Sequence, residues 1–181
     1  MQKVLFILGE LSDQDIDWLV DIGDRNEISA NTVLIHEGRS VDTLYIMLEG
    51  TLVVSIAALG DREVARLSMG EVVGEMSFVD ARPPSATVKT LERSIVLSIP
   101  RSKLAAKLQD DIGFAARFYR ALAILLSNRL RGTVKQLGYS QDPSSQSAHS
   151  QRDSTHSDTI KIAQARFDDL LKRLKGSSVV E

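Results

Sequence analysis

The sequence predicts a mainly β protein with flanking helices: an antiparallel β-roll or jelly-roll barrel, with one helix before it and a long one after. Three observations carry that expectation. From Asn26 to Pro100, β-branched residues gather in short runs separated by Gly, Asp, Ser and Pro, the rhythm of closely spaced strands. No helical period falls between consecutive runs, which disfavours parallel βαβ units. Beyond Asp111 apolar residues recur at three- and four-residue steps as far as Leu137, the mark of a long amphipathic helix.

The elements follow in order. Residues Met1 to Gly9 hold a very short apolar stretch with no small-residue cleavage site, so a buried N-terminal segment is expected rather than a signal sequence. Ser12 reads as an N-cap, with Asp13 and Asp15 in the first helical turn. Leu11 and Ile16 have hydrophobic-staple spacing, and Ile16, Leu19, Val20 and Gly23 share one face of a helix ending near Ile22. Strands are expected at Thr32–Ile35, Thr43–Leu48, Thr51–Ile56, Glu63–Leu67, Ala86–Thr90 and Ser94–Ile99. Leu59-Gly60-Asp61-Arg62 reads as a hairpin turn and Glu49-Gly50 as a tight reversal or bulge.

A short helix starts at Pro100 or Ser102 and runs to Leu108. The long helix from about Asp111 carries a seam of Phe114, Phe118, Leu122, Leu125, Leu126, Leu130, Val134 and Leu137, and Gly138 reads as its C′ glycine. Ser140 to Asp158 is dense in polar residues and reads as a flexible linker. His149 and His156 lie within it as polar filler or, less plainly, a metal-binding tail. Ile160, Ala163, Phe167, Leu170, Leu171 and Leu174 then line one side of a last helix. The expected organisation is a domain at 1–138, a linker at 139–158 and an amphipathic helix within 159–181.

Composition removes several function classes. A net charge of −2 offers no basic excess for nucleic acid or anionic lipid. Absence of cysteine removes disulfides, thiol catalysis and thiolate metal sites. No P-loop, dinucleotide fingerprint or zinc spacing is present. His36, beside a turn at a strand end, has no partners for a catalytic set. The chain therefore reads as a non-enzyme with no cofactor and no metal, in the cytoplasm, with no apolar run long enough to span a bilayer.

The densest motif is Gly70-Glu71-Val72-Val73-Gly74-Glu75-Met76-Ser77-Phe78, continuing through Val79-Asp80-Ala81-Arg82-Pro83-Pro84-Ser85-Ala86-Thr87-Val88. Glycines at 70 and 74 permit positive φ and close approach of a ligand to the backbone. Glu75 sits at the mouth of a short helical turn, where free N–H groups favour an anion. N–H groups around 74–78 and 85–87 can hold a phosphate by backbone donors alone. The plainer reading of the same residues is an ordinary turn followed by a rigid Pro83-Pro84 loop.

This segment resembles the phosphate-binding cassette of the cyclic-nucleotide-binding domain family, with Gly74, Glu75, Ser77, Pro83, Ser85, Ala86, Thr87 and Val88 in gapless register. Leu44-Tyr45-Ile46-Met47-Leu48-Glu49-Gly50 is similar to another stretch of such domains, and the resemblance covers residues 10–138. It implies a β-roll of that type and a ligand site of Gly74, Glu75, Met76, Ser77, Ser85 and Ala86. It further implies that Glu75 binds the ribose 2′-hydroxyl of a cyclic nucleotide and Ser85 the cyclic phosphate. By resemblance to the family's dimeric bacterial transcription regulators, Thr133 on the long helix would meet the adenine, with Val134 where those regulators have serine. One position departs: Pro84 stands where the family carries its phosphate-binding arginine. Proline also removes a backbone N–H from the loop. Arg82 is the candidate replacement, starting ~6 Å away in polyproline geometry.

Two functions are compatible with these residues. One is a regulatory sensor that binds a cyclic nucleotide or related phosphate ligand and relays it through helix rearrangement. The other is a degenerate pseudo-sensor, a dimeric adaptor that works without nucleotide. A homodimer is expected through the 111–137 helix, because a small barrel cannot cover the whole seam. The alternative is that the 159–175 helix folds back over it; otherwise that helix is a docking element for a protein partner. DNA binding is not expected, since no recognition helix or basic patch follows the long helix.

Overall fold

The computed structural model describes residues 6–136 and 153–176. Two short helices come first, α1 (Phe6–Glu10) and α2 (Asp13–Ile22). Strands β1 (Asp24–Ile28), β2 (Val33–Ile35), β3 (Thr43–Glu49), β4 (Leu52–Ile56), β5 (Arg62–Leu67) and β6 (Val72–Val73) follow. Helix α3 (Glu75–Asp80) then interrupts the strands before β7 (Thr87–Thr90) and β8 (Ser94–Pro100). Three helices complete the described chain: α4 (Arg101–Asp110), α5 (Ile112–Gln136) and α6 (Asp153–Gly176).

The strands form two antiparallel four-stranded sheets, ordered β1-β8-β3-β6 and β2-β7-β4-β5. The expected roll is present, but the sheets do not close into a barrel. The first sheet is buried on both faces, and its side chains divide by the period of two. Leu44, Ile46, Leu48, Val72, Leu97 and Ile99 face the helices. Met47, Val73 and Val96 face Ile35, Leu52, Leu67 and Val88 of the second sheet. The molecule is thus a helical layer, a doubly buried sheet and a half-solvated sheet.

β1 was not expected, because Asp24-Arg25-Asn26-Glu27-Ile28 has a single apolar residue. It forms as an edge by full register with β8, Asp24 opposite Ser98 through Ile28 opposite Ser94. Asn26 Nδ2 donates to Ser98 Oγ at 2.9 Å, and Glu27 pairs with Arg93. Charges along such an edge discourage further strand addition. The Glu49-Gly50 reversal is present, with Gly50 at φ 99° and a register shift between Met47 and Glu49. The 59–62 turn joins β4 to β5 through left-handed Gly60 and Asp61.

Ser12 caps α2 as expected: its hydroxyl accepts the Asp15 N–H at 3.2 Å, while the Asp15 carboxylate accepts the Ser12 N–H at 2.8 Å. Asp15 is also held by Arg117 of α5, at 2.6 and 2.9 Å. Burial opposes ionisation of Asp15, but the Arg117 guanidinium and the Ser12 groups outweigh it and hold the carboxyl below its usual range. A lowered folded pKa stabilises above the unfolded value of about 3.9 and loses that contribution as the pH falls through the folded one. Denaturant midpoints should therefore drop on acidification below about 4. Asp15→Asn should flatten that dependence; an unchanged slope would show that Asp15 contributes nothing to it.

Most of the α5 seam is covered within the chain. Phe114, Phe118, Leu122 and Leu125 are buried within the chain. They share one core with Leu8 and Leu11, with Ile16 and Leu19 of α2, and with Ala163, Phe167, Leu170 and Leu174 of α6. Trp18 meets the Phe114 ring edge-on at 5.3 Å between centroids. The N-terminal helices supply much of the cover, and α6 packs against α1 and α2 within the same chain and joins the same core. Among the described residues the seam stays open toward its C-terminal part, with Leu130 65% exposed and Leu126 and Val134 half-buried. Helix α6 begins at Asp153, earlier than the Thr159 expected. Leu137, Gly138 and the 139–152 stretch lie outside the described residues.

Candidate functional site

Gly74 follows β6 at φ 91° and serves as N-cap of α3. A Cβ there would lie 2.8 Å from the Thr43 carbonyl oxygen, so glycine is required both by conformation and by space. Gly74→Ala should cost about 2–3 kcal/mol of stability, measurable by chemical denaturation. A change below about 0.5 kcal/mol would mean that the turn relaxes freely.

Glu75 opens α3 and is only 2% exposed. Its carboxylate bonds Arg129 Nη1, reaching across from α5. Arg129 Nη2 donates to the Val72 carbonyl at 2.5 Å and stands 3.6 Å from Glu71 Oε2. One guanidinium therefore bridges two carboxylates and a carbonyl, a charge-assisted arrangement that locks the Glu75 rotamer. Three residues on, the Phe78 ring meets Phe118 of α5 edge-on at 5.9 Å, and the Arg101 guanidinium lies over the Phe78 ring, 5.6 Å from its centroid. Helix α3 is thus tied to α5 by an ion pair at its start and a ring contact further along.

The remaining expected site residues are distributed unevenly. Ser77 is buried in α3, while Met76 faces solvent. Ala81 ends α3 in the left-handed region, its N–H on the Ser77 carbonyl. Arg82 turns back to Asp80, its N–H on Oδ1 at 3.0 Å, with its side chain 84% exposed. Ser85 is exposed and Ala86 half-buried. The Pro84 carbonyl accepts the Gly38 N–H at 2.8 Å, and Thr87 Oγ1 accepts the Glu37 N–H at 3.2 Å. The loop after β2, which includes exposed His36, is thereby fastened to the cassette. Thr133 is exposed and donates its hydroxyl to the Arg129 carbonyl at 3.1 Å, the usual back-bond of a mid-helix threonine.

Arg129 itself carries no motif. Its one signal in the sequence is its place one helical turn before Thr133, on the same face. The resulting arrangement is a buried carboxylate oriented by a cation, and an ionised carboxylate has lone pairs enough to accept further hydrogen bonds besides that one. Beside it runs a loop whose only cation points to solvent.

The profile of the cyclic nucleotide-binding domain matches residues 25–111, from β1 through α4 with the whole cassette. The chain carries a cyclic nucleotide-binding domain. It is 26% identical over 120 residues to an uncharacterised NTE family protein of Mycobacterium bovis, covering 66% of this chain and 20% of that one. The chain thus spans a fifth of that relative's length. It is 24% identical over 130 residues to the cAMP-activated global transcriptional regulator CRP of Escherichia coli, covering 70% of this chain and 60% of the regulator. In structure it is similar to a cyclic nucleotide-binding domain from Methylobacillus flagellatus, with a TM-score of 0.68 at 22% identity, covering 78% of this chain and 84% of the other. That likeness shows the fold. Arg129 lies beyond residues 25–111, so the cation that holds the cassette glutamate comes from the helix that follows the matched domain. Among the described residues no helix is long and apolar enough to cross a membrane.

Proposed function

We propose that this chain is a non-enzymatic cytoplasmic sensor whose cassette binds a cyclic nucleotide or a related phosphate ligand. Glu75 takes the sugar hydroxyls, Ser85 and the backbone N–H groups of the 85–87 turn take the phosphate, and α5 relays occupancy through Arg129. The supporting observation is the buried Glu75 held by a residue of α5, because any hydroxyl that Glu75 accepts must share its carboxylate with that helix. Relatives named for cAMP activation point the same way.

Pro84 sets the expected strength. A hydrogen bond to a charged group is worth about 1.5–3 kcal/mol, so a cassette without its arginine should bind a cyclic mononucleotide roughly ten- to a hundredfold more weakly. Calorimetric titration with cyclic AMP, cyclic GMP and cyclic dinucleotides tests the proposal. Heat that is lost in Glu75→Ala and strengthened for mononucleotides in Pro84→Arg supports it. No heat from any of the three at high micromolar concentration sinks it.

A second reading, a dimeric adaptor that needs no ligand, is favoured by the pairing of Arg129 with Glu75 and by Arg82, which stays solvent-exposed beside Asp80. In that reading a second copy pairs through the open end of the α5 seam, at Leu126, Leu130 and Val134. Sedimentation at tens of micromolar decides it. A dimer that Leu130→Glu dissociates supports the reading, and a monomer throughout removes it.

A further inference from the structure

Helix α6 is bound to the rest of the chain by contacts of two kinds. Its apolar face places Ala163, Phe167, Leu170 and Leu174 in the helical core. Its edge places Arg166 where α1 ends: Nη1 donates to the carbonyls of Leu8 at 3.0 Å, Gly9 at 3.3 Å and Leu11 at 2.5 Å, while Nε meets Asp13 at 2.9 Å. The last carbonyls of a helix lack intrahelical donors, and a cation there is favoured by the helix dipole. One α6 side chain therefore completes the end of α1. Seven residues further along, Arg173 pairs with Asp17 of α2.

The opposite side of the same helix pair is bound to α5. Asp15 takes both arms of Arg117, and Glu10 meets Arg120 at 3.0 Å. Acidic residues of α2 thus alternate in direction, Asp13 and Asp17 toward α6 and Asp15 toward α5. Helix α5 carries Arg129 three turns beyond Arg117, in the Glu75 pair. Separate charge-assisted pairs, Arg129 with Glu75, Arg117 with Asp15, and Arg166 and Arg173 with Asp13 and Asp17, are thus joined by the helices α5 and α2 into one path from the cassette to α6.

We infer that α6 is a releasable strap whose seat on α1 and α2 is set by the position of α5, so that a shift of α5 against the cassette is read out as release of α6. The released helix presents Phe167, Leu170 and Leu174 beside Arg166 and Arg173. That pattern fits an acidic helical surface of the kind its own seat provides. The cassette end of the path rests on the sensor reading; the α5-to-α6 part does not. Contiguity alone is not coupling, and the two ends are tested separately.

Hydrogen exchange on the full chain supplies the test, with the amides of 161–174 as readout and those of β3 and β8 as internal reference. Arg166→Ala removes the direct anchor and should speed exchange in α6. Arg117→Lys keeps the charge but breaks the two-armed bond to Asp15, and it leaves the α6 anchors intact. It should speed exchange in α6 by about tenfold, within the range that linked sites show, with β3 and β8 unchanged. An α6 that responds to Arg166→Ala and not to Arg117→Lys overturns the inference, as does equal acceleration in β3 and β8. A second arm adds cyclic AMP. Binding with unchanged α6 exchange also overturns it. Failure to bind defeats the nucleotide reading alone, since the Arg117→Lys arm still decides the strap.

Discussion

Arg129→Ala should lower the stability of this domain by about 3 kcal/mol, the largest loss expected from a residue that is not part of the apolar core. The cause is what stays behind. Glu75 is buried and its carboxylate would lose the guanidinium it bonds, and Glu71 would lose a neighbouring charge. The loss falls at the lower end of the range for breaking a buried pair because Arg129 is itself partly solvated. Adding Glu75→Gln to the variant should restore more than half of the loss. Chemical denaturation of the two single variants and the double checks this. A loss under about 1 kcal/mol with no rescue would mean that Glu75 finds water in place of Arg129.

Phe118→Ala should cost about 3–5 kcal/mol. The ring is 1% exposed, stacks on Phe114 at 5.6 Å and meets Phe78 edge-on at 5.9 Å. Its removal opens a cavity where α3 and α5 meet, so the cassette helix should loosen along with the core. Leu130→Ala, on the same helix but 65% exposed, should change stability by no more than about 0.5 kcal/mol. The contrast separates the covered part of the seam from the open part. Equal losses at the two positions would mean that Leu130 is covered in solution, by a second copy or by another segment.

The seam shows how far a pattern in one dimension carries. Spacing alone identified an amphipathic helix from about Asp111, and Asp111 does cap it, its carboxylate accepting the Phe114 N–H at 2.8 Å. Spacing could not say what the seam meets, because a hydrophobic stripe has the same period whether a sheet, a neighbouring helix or another molecule covers it. The cover came chiefly from α1, near the start of the chain, against which α6 packs in turn. β1 escaped notice for a related reason: its pairing with β8 is a long-range register, and its own residues are those of a charged edge.

At the cassette the division is equally physical. Gly74-Glu75-Met76-Ser77 and the run to Val88 are local: a left-handed glycine, a short helix start and a strand, each specified by a residue's own backbone preferences. These the sequence determined by itself, together with the antiparallel β-roll and the likeness of residues 25–111 to a cyclic nucleotide-binding domain. Three matters were left to the tertiary structure. Arg129 is brought to Glu75 across 54 residues; Arg82 stays solvent-exposed beside Asp80; and α6 folds back to cap the end of α1. A flexible cation has no preferred partner until the fold has placed the carboxylates and carbonyls around it. Its role is therefore decided by packing rather than by its neighbours in the chain.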